Sequence, residues 1–135
     1  MIKDFIPYQQ ALALKELGFD EPCFGYYEPS GDFDYIEKDI IKDFPYLAKN
    51  SEWQDLVASP TLSQVFRFFR EKYNIYTEIL LDQTTQPKFC FEIYKYEDFG
   101  NYEEIRIGEW FLYRTYEEAE LACLINLIEI VKEKK

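Results

Sequence analysis

The sequence predicts an α+β domain in which a mostly antiparallel sheet is packed by helices, with an αβββα order in its C-terminal part. Apolar residues recur at helical spacing in two stretches, 61–73 and 115–132, and they alternate with other residues in strand candidates between them. With 135 residues, of which 47% are hydrophobic and 19% aromatic, the chain is long enough and apolar enough to build an ordered core. We therefore expect a single domain over residues 1–135.

The N-terminal part is predicted to begin with a short helix from Pro7 to Leu17. Proline suits the first helical position, good helix formers follow it, and Gly18 can end the helix in the left-handed conformation. An antiparallel aromatic hairpin should follow, with strands over 24–28 and 33–37 and a turn at PSGD.

Residues 38–58 show no clear period. Long connections of this kind are usually functional or hide an element, and we suggest a short helix over 53–57.

The stretch TLSQVFRFFREKY, residues 61–73, is predicted to be a well-defined helix. Ser59 or Thr61 can cap it, and Gln64 completes a capping-box pattern with Thr61. At 100° per residue, one apolar stripe forms the predicted core face: Leu62, Val65, Phe66, Phe69 and Tyr73. Phe68 falls outside this stripe, so we expect it to be exposed and available to a partner.

Two arginines, Arg67 and Arg70, lie on the polar face of that helix, one turn after Ser63. Guanidinium groups form forked hydrogen bonds to phosphate and carboxylate, so these residues are a candidate anion site; pairing with the chain's own carboxylates is the alternative. The hairpin adds candidate stacking residues for a nucleotide or another small ligand, for which packing on the core is the alternative: Tyr26, Tyr27 and Tyr35.

Three strand candidates follow, over 75–81, 88–96 and 104–113. The second has one strongly apolar face, Phe89, Phe91 and Ile93, and one mixed face, Cys90, Glu92, Tyr94 and Tyr96. In the third candidate the apolar parity changes at Gly108, which predicts a bulge or a turn there.

The final helix is predicted to begin with Thr115 as its cap and Glu118 as the partner in a capping box, and to end near Lys132. One apolar stripe should lie on the sheet: Tyr116, Ala119, Cys123, Leu127 and Ile130. A second stripe is a candidate interface, either with the N-terminal helix or with a second copy in a homodimer: Leu121, Leu124, Ile125 and Ile128. Because a helix that is apolar on two sides must be covered twice, we expect no fully solvated long face.

The chain is strongly acidic, with a formal net charge of −11. Residues 1–60 hold 12 acidic and 5 basic residues, so they carry −7 of that charge. This balance opposes attraction to nucleic-acid phosphates and anionic membranes. Solubility is one explanation for it, and a surface complementary to a basic partner, such as a DNA mimic, is the other.

Catalytic motifs are absent from the sequence. It has no histidine, five glycines without a phosphate-binding loop, and no GxSxG motif, while carboxylate pairs such as Asp32 with Asp34 are expected by chance among 26 acidic residues. The three widely spaced cysteines, Cys23, Cys90 and Cys123, lie among apolar residues, which predicts buried thiols and neither a disulfide nor a zinc site. We expect no enzymatic activity, no metal and no cofactor.

The sequence has no uninterrupted apolar run near 18 residues and no charged leader before an apolar segment. We therefore expect no membrane span and a cytoplasmic location.

Three phrases together resemble a family of small uncharacterised proteins encoded by phages and prophages of gut bacteria: FIPYQQALALKELGFDEPCF, LVASPTLSQVFRFFREKY and TYEEAELACLINLIEIVKEK. The resemblance is weakest across residues 29–50 and 74–114. It implies an accessory protein that acts inside a bacterial host cell, and it implies no activity or site residue.

The αβββα order also occurs in double-stranded-RNA-binding domains, whose last helix begins with phosphate-binding lysines. Here that helix begins TYEEAE, so we expect no RNA binding. The sequence as a whole predicts a non-enzymatic protein-binding protein, an acidic host-interaction or anti-defence protein whose partner is a host protein or a second copy. The alternative is a small-ligand or nucleotide-binding module that uses Arg67, Arg70 and the aromatic hairpin.

Overall fold

The computed structural model describes residues 4–36, 47–53, 55–82, 88–98, 101–107 and 113–133. Those residues form three helices and two three-stranded antiparallel sheets, which confirms the α+β class. The chain divides into two compact units, Met1–Gln64 and Val65–Lys135. The single domain over residues 1–135 stays a prediction.

The first helix, α1, spans Tyr8–Glu16 and directly follows Pro7. Leu17 is its C-terminal cap, and the following residue, Gly18, has a φ of 91°. The Gly18 N–H donates to the carbonyl of Lys15 at 3.0 Å, and the Phe19 N–H donates to the carbonyl of Leu14 at 2.9 Å. This pair of bonds is the Schellman arrangement, so both predicted ends of α1 are confirmed.

The first sheet has the order β2-β1-β3, with β1 at Gly25–Tyr27, β2 at Phe33–Tyr35 and β3 at Val57–Ser59. Strands β1 and β2 form the predicted antiparallel hairpin, and Gly31 in its turn has a φ of 90°. The sequence did not predict β3.

The helix suggested over 53–57 is wrong, because Val57 belongs to β3. The buried amide of Asn50 helps to hold this segment in place: its Nδ2 donates to the Phe19 carbonyl at 2.8 Å, and its Oδ1 accepts the Ala58 N–H at 2.9 Å. These contacts join residues far apart in sequence, so local periodicity could not reveal them. Residues 38–46 of the unassigned stretch lie outside the described residues, as does residue 37 at the end of the predicted second hairpin strand.

Gly25 in β1 is required by its neighbours. A Cβ added there would lie 2.6 Å from Cδ1 of Phe5 and 2.9 Å from Cε2 of Phe33. The two phenylalanine rings, 5.2 Å apart between centroids, therefore pack directly on the backbone of the strand.

The second helix, α2, spans Leu62–Tyr73. Thr61 caps it, since its Oγ1 accepts the Gln64 N–H at 3.2 Å. Ser59 lies in β3 and its hydroxyl donates to the Ile6 carbonyl at 3.1 Å, so Ser59 is not the cap.

The predicted exposure of Phe68 is wrong. Phe68 is only 6% exposed, so it offers no partner interface. Its ring lies 5.4 Å from that of Phe69 and 5.8 Å from that of Tyr73, and the Lys72 ammonium lies 5.5 Å above it. A one-stripe analysis failed here because a phenylalanine on the flank of a helix is long enough to reach the buried side.

The second sheet has the order β4-β5-β6, with β4 at Ile75–Asp82, β5 at Lys88–Asp98 and β6 at Asn101–Ile107. The three strands follow α2 as predicted. Phe91 and Ile93 are buried on the apolar face of β5. Tyr113 continues the pairing through a bridge to Phe89, while the bulge or turn predicted at Gly108 lies outside the described residues.

The last helix, α3, spans Tyr116–Glu133 and packs on β5 and β4. Thr115 caps it by accepting the Glu118 N–H at 3.1 Å, and the Glu118 carboxylate accepts the Arg114 N–H at 3.1 Å. On β6, the Arg106 guanidinium donates to Asn126 Oδ1 at 2.9 Å and to Glu129 Oε2 at 3.3 Å.

The two apolar stripes of α3 are confirmed in part. Ala119, Cys123, Leu127 and Ile130 are buried as predicted, whereas Tyr116 is exposed with its ring edge-on to Phe89. In the second stripe, Leu124 and Ile128 are buried, Leu121 is half-buried and Ile125 is exposed.

The prediction that α3 has no fully solvated long face is not contradicted, because its most exposed side is narrow and Ile125 on that side is only 37% exposed. Exposed residues line one narrow side of the helix at spacings of seven, four and three: Glu118, Ile125, Glu129 and Lys132. Leu124 and Ile128 are already buried within the chain, and whether Leu121 and Ile125 contact a second copy stays a prediction.

Candidate functional site

The second sheet has a polar and aromatic face opposite the one that carries Phe91 and Ile93. Pairing places Tyr76 of β4 opposite Tyr94 of β5, and Glu78 of β4 opposite Glu92 of β5. Since side chains alternate along a strand, these four residues and Tyr96 lie on the same face. We call Tyr76, Glu78, Glu92, Tyr94 and Tyr96 the tyrosine face.

The tyrosine face contains a hollow of about 540 Å³ lined by Tyr76, Thr77, Glu78, Tyr94 and Tyr96. Its volume falls in the range of pockets that bind ligands or side chains, about 300–1,000 Å³. Tyr76 is 42% exposed, and its ring meets the ring of Tyr96 nearly edge-on, with 6.3 Å between their centroids. An incoming group would therefore meet aromatic carbon and phenol oxygen together.

Carboxylates surround Tyr94. Its hydroxyl donates a hydrogen bond to Glu92 Oε2. That bond is the main reason why the pKa of Tyr94 is raised, and burial and the negative charges of Glu92, Glu104 and Glu78 add to it. The phenol therefore stays protonated at neutral pH, in a region of negative potential.

Two of these carboxylates have no ion-pair partner in the part of the chain that the structure describes: Glu78 and Glu104. Both are exposed. On β5 the tyrosine face holds one cationic residue, Lys88, four positions before Glu92 and therefore roughly 13 Å away along the strand. Among the described residues, the charges that raise the pKa of Tyr94 beside the hollow all come from acidic groups.

The pairing of Glu78 with Glu92 does not stabilise the sheet. Two like charges directly opposite each other across antiparallel strands are destabilising. Local conflicts of this kind in a folded chain are expected at functional sites, where a ligand can relieve them.

The tyrosine face was not identified from the sequence. The alternation on β5 separated Cys90, Glu92, Tyr94 and Tyr96 as a mixed face, but β4 was treated as a separate strand. Only the register of β4 against β5 brings Tyr76 and Glu78 to the same place. The available signal was a tyrosine and a glutamate two residues apart on each of two successive strands.

The three residues of the predicted anion site, Ser63, Arg67 and Arg70, all lie on α2. Arg67 and Arg70 belong to the second unit, in which Arg67 is exposed and Arg70 is half-buried. Ser63 belongs to the first unit and is exposed. Whether these residues bind an anion stays a prediction.

The hairpin tyrosines make packing contacts within the first unit. Tyr26 donates to Asp34 Oδ2 at 3.2 Å, and its ring meets Trp53 edge-on. Tyr27 donates to the Ile6 carbonyl at 2.8 Å. Tyr35 stacks on Phe33, with 6.5 Å between the ring centroids. These contacts favour the packing alternative for the hairpin.

Comparison with protein-family models, with curated proteins and with solved structures finds no match for the chain. In the described ranges, no group of three or more histidine, cysteine, aspartate or glutamate residues is placed to hold a metal ion. None of the helices described is both long enough and apolar enough to cross a membrane.

Proposed function

We propose that the protein is a non-enzymatic binding protein that recognises a protein partner through the tyrosine face. The observation that carries the proposal is the group of accessible tyrosines around the hollow, Tyr76, Tyr94 and Tyr96. Tyrosine is enriched at protein interfaces, because a rigid ring offers a large contact area at little cost in conformational entropy while its hydroxyl can form a hydrogen bond.

The placement of these tyrosines on a sheet also supports the proposal. Sites built on regular elements hold their side chains in position before binding, so little ordering is needed when a partner docks. The resemblance to phage and prophage proteins adds the expectation that the partner is a host protein and that binding takes place in the bacterial cytoplasm.

The experiment that tests the proposal is affinity capture from bacterial extract with wild-type protein and two variants, Tyr76→Ala and Phe24→Ala. Phe24 is a matched control, since this aromatic residue is 41% exposed against 42% for Tyr76 and is not among the residues that line the hollow. Truncating a central aromatic of an interface typically costs about 2 kcal/mol or more.

We expect Tyr76→Ala to weaken the binding of the captured protein at least roughly tenfold and Phe24→Ala to leave it unchanged. Capture that is equal for wild type and Tyr76→Ala would place the interface elsewhere. If wild-type protein retained nothing above a column without bait, the proposal of a protein partner would be contradicted.

A further inference from the structure

We propose that the group bound in the hollow is an arginine side chain on a basic segment of the partner protein. The inference rests on the proposed function, because it names the chemistry of the partner that the tyrosine face would recognise. Its basis is charge complementarity between the hollow and a guanidinium group.

The carboxylates are placed to receive a cation. Glu78 lines the hollow, Glu92 lies directly across from it, and Glu104 of β6 lies across from Tyr94 on the other side. A guanidinium donates two parallel hydrogen bonds to one carboxylate, and such charge-assisted bonds are about twice as strong as neutral ones. A bound cation would also relieve the repulsion between Glu78 and Glu92.

The aromatic rings favour arginine over lysine. A planar guanidinium stacks on the face of a tyrosine while it bonds a carboxylate, whereas an ammonium is a compact and more strongly hydrated charge. The hollow provides both surfaces, since Tyr76 and Glu78 line it from β4 and Tyr94 and Tyr96 line it from β5.

A segment of a protein is favoured over a free small cation for two reasons. The hollow reaches the edge of the described sheet, since Thr77 of β4 lines it and β4 is the end strand in the order β4-β5-β6. A segment of a partner can therefore lie along this edge with one side chain in the hollow. The net charge of −11 attracts a basic chain over a distance of about 8 Å at physiological ionic strength, and this attraction brings the segment to the hollow.

The test measures binding of three short peptides, rich in arginine, lysine or glutamate, to the full chain by isothermal titration and by the amide NMR shifts of β4 and β5. The key variant is Glu78→Gln with Glu104→Gln, which leaves the hydrogen bond from Tyr94 to Glu92 in place. The control is Glu52→Gln with Glu71→Gln, two exposed residues that belong neither to the tyrosine face nor to the lining of the hollow, so both variants have the same net charge.

We expect the arginine peptide to bind more tightly than the lysine peptide, the glutamate peptide not to bind, and the shifted amides to be those of Tyr76, Glu78, Tyr94 and Tyr96. Glu78→Gln with Glu104→Gln should weaken the arginine peptide at least roughly tenfold, and the control pair less than about twofold. The melting temperature of the key variant should equal or exceed that of wild type, because a like-charge pair has been removed.

Equal weakening by the two double variants would show attraction to net charge alone and would overturn the inference. So would tighter binding of the lysine peptide, or shifts confined to other residues. If a partner captured from bacterial extract depends on Tyr76 but is indifferent to Glu78→Gln with Glu104→Gln, the proposed function stands and the arginine inference fails. If no partner depends on Tyr76, the proposed function itself fails.

Discussion

Single residues show how burial sets the chemistry of this chain. Cys23, Cys90 and Cys123 are all buried free thiols, as their apolar surroundings predicted. Burial raises the pKa of Cys23 from 9.0 to about 12, and the nearby Glu21 carboxylate adds to the shift. A thiol with this pKa is protonated at neutral pH and is a poor nucleophile, so Cys23 acts as a small apolar side chain.

The raised pKa of Cys23 predicts a loss of stability in alkali. Because the folded pKa lies above the unfolded one, the stabilisation is fully present below pH 9 and is lost as pH rises from 9 towards 12. One such thiol lowers the free energy of unfolding by about 1.4 kcal/mol for each pH unit in that window. In urea unfolding with a reductant, the free energy of unfolding should therefore fall less steeply with pH above pH 9 for Cys23→Ala than for wild type.

The change in the free energy of unfolding between pH 7 and 8 serves as the internal control, because the thiol is protonated there in both the folded and the unfolded state. Cys23→Ala lowers the stability by a similar amount at both of these pH values. Parallel curves for wild type and variant from pH 7 to pH 11 would contradict the assignment.

At the scale of the element, α3 shows that burial is decided one residue at a time. Leu124 is fully buried, whereas the next residue, Ile125, is 37% exposed. The sequence assigned both to one apolar stripe, but that stripe spans about 100° of the helix and Ile125 lies at its margin, beside Glu118 and Glu129. The buried part of an apolar stripe ends where the surface that packs against the helix ends.

Leu124→Ala and Ile125→Ala form a matched pair that tests this boundary. We expect Leu124→Ala to lower the free energy of unfolding by about 2–5 kcal/mol, because it removes buried apolar contacts and leaves a cavity. Ile125→Ala should change it by less than about 1 kcal/mol, since the side chain is partly solvated and alanine favours the helix. Urea denaturation of the two variants at pH 7 is the measurement, and equal losses would contradict the placement of α3.

At the scale of the whole molecule, two candidate sites differ in their charge. The nucleotide site would use arginines, whereas the tyrosine face is acidic. The nucleotide hypothesis requires Arg67 and Arg70 of α2 together with the tyrosines of the hairpin. The hydroxyls of Tyr26 and Tyr27 already donate to Asp34 and to the Ile6 carbonyl. The tyrosine face needs only residues of the second unit, and its acidic surroundings repel phosphates.

We therefore expect common nucleotides to leave the melting temperature unchanged. A ligand at 100 times its dissociation constant would stabilise the folded protein by about 2.7 kcal/mol, which a thermal-shift assay detects. Arg67→Ala with Arg70→Ala should alter the unliganded melting temperature little. A nucleotide that raises the wild-type melting temperature, with the increase lost in this double variant, would restore the nucleotide hypothesis.

Local physical chemistry was enough to predict most of the elements of this protein. Proline and glycine set the ends of α1, and side-chain capping set the starts of α2 and α3 at Thr61 and Thr115. Aromatic-rich runs on either side of the PSGD turn located the hairpin, and apolar patterning located the three strands of the second sheet. Such signals depend on neighbours within one or two turns of the chain, so the sequence contains them completely.

Tertiary structure alone decided the features that depend on distant residues. Strand β3 is joined to the first unit by pairing with β1 and by the buried Asn50, and Phe68 is buried although it lies off the apolar stripe. The tyrosine face arises from the register of β4 on β5, and a shift of one residue would turn Tyr76 and Glu78 to the opposite side of the sheet. Register is set by the sum of contacts across the whole sheet, so no segment of the sequence specifies it alone.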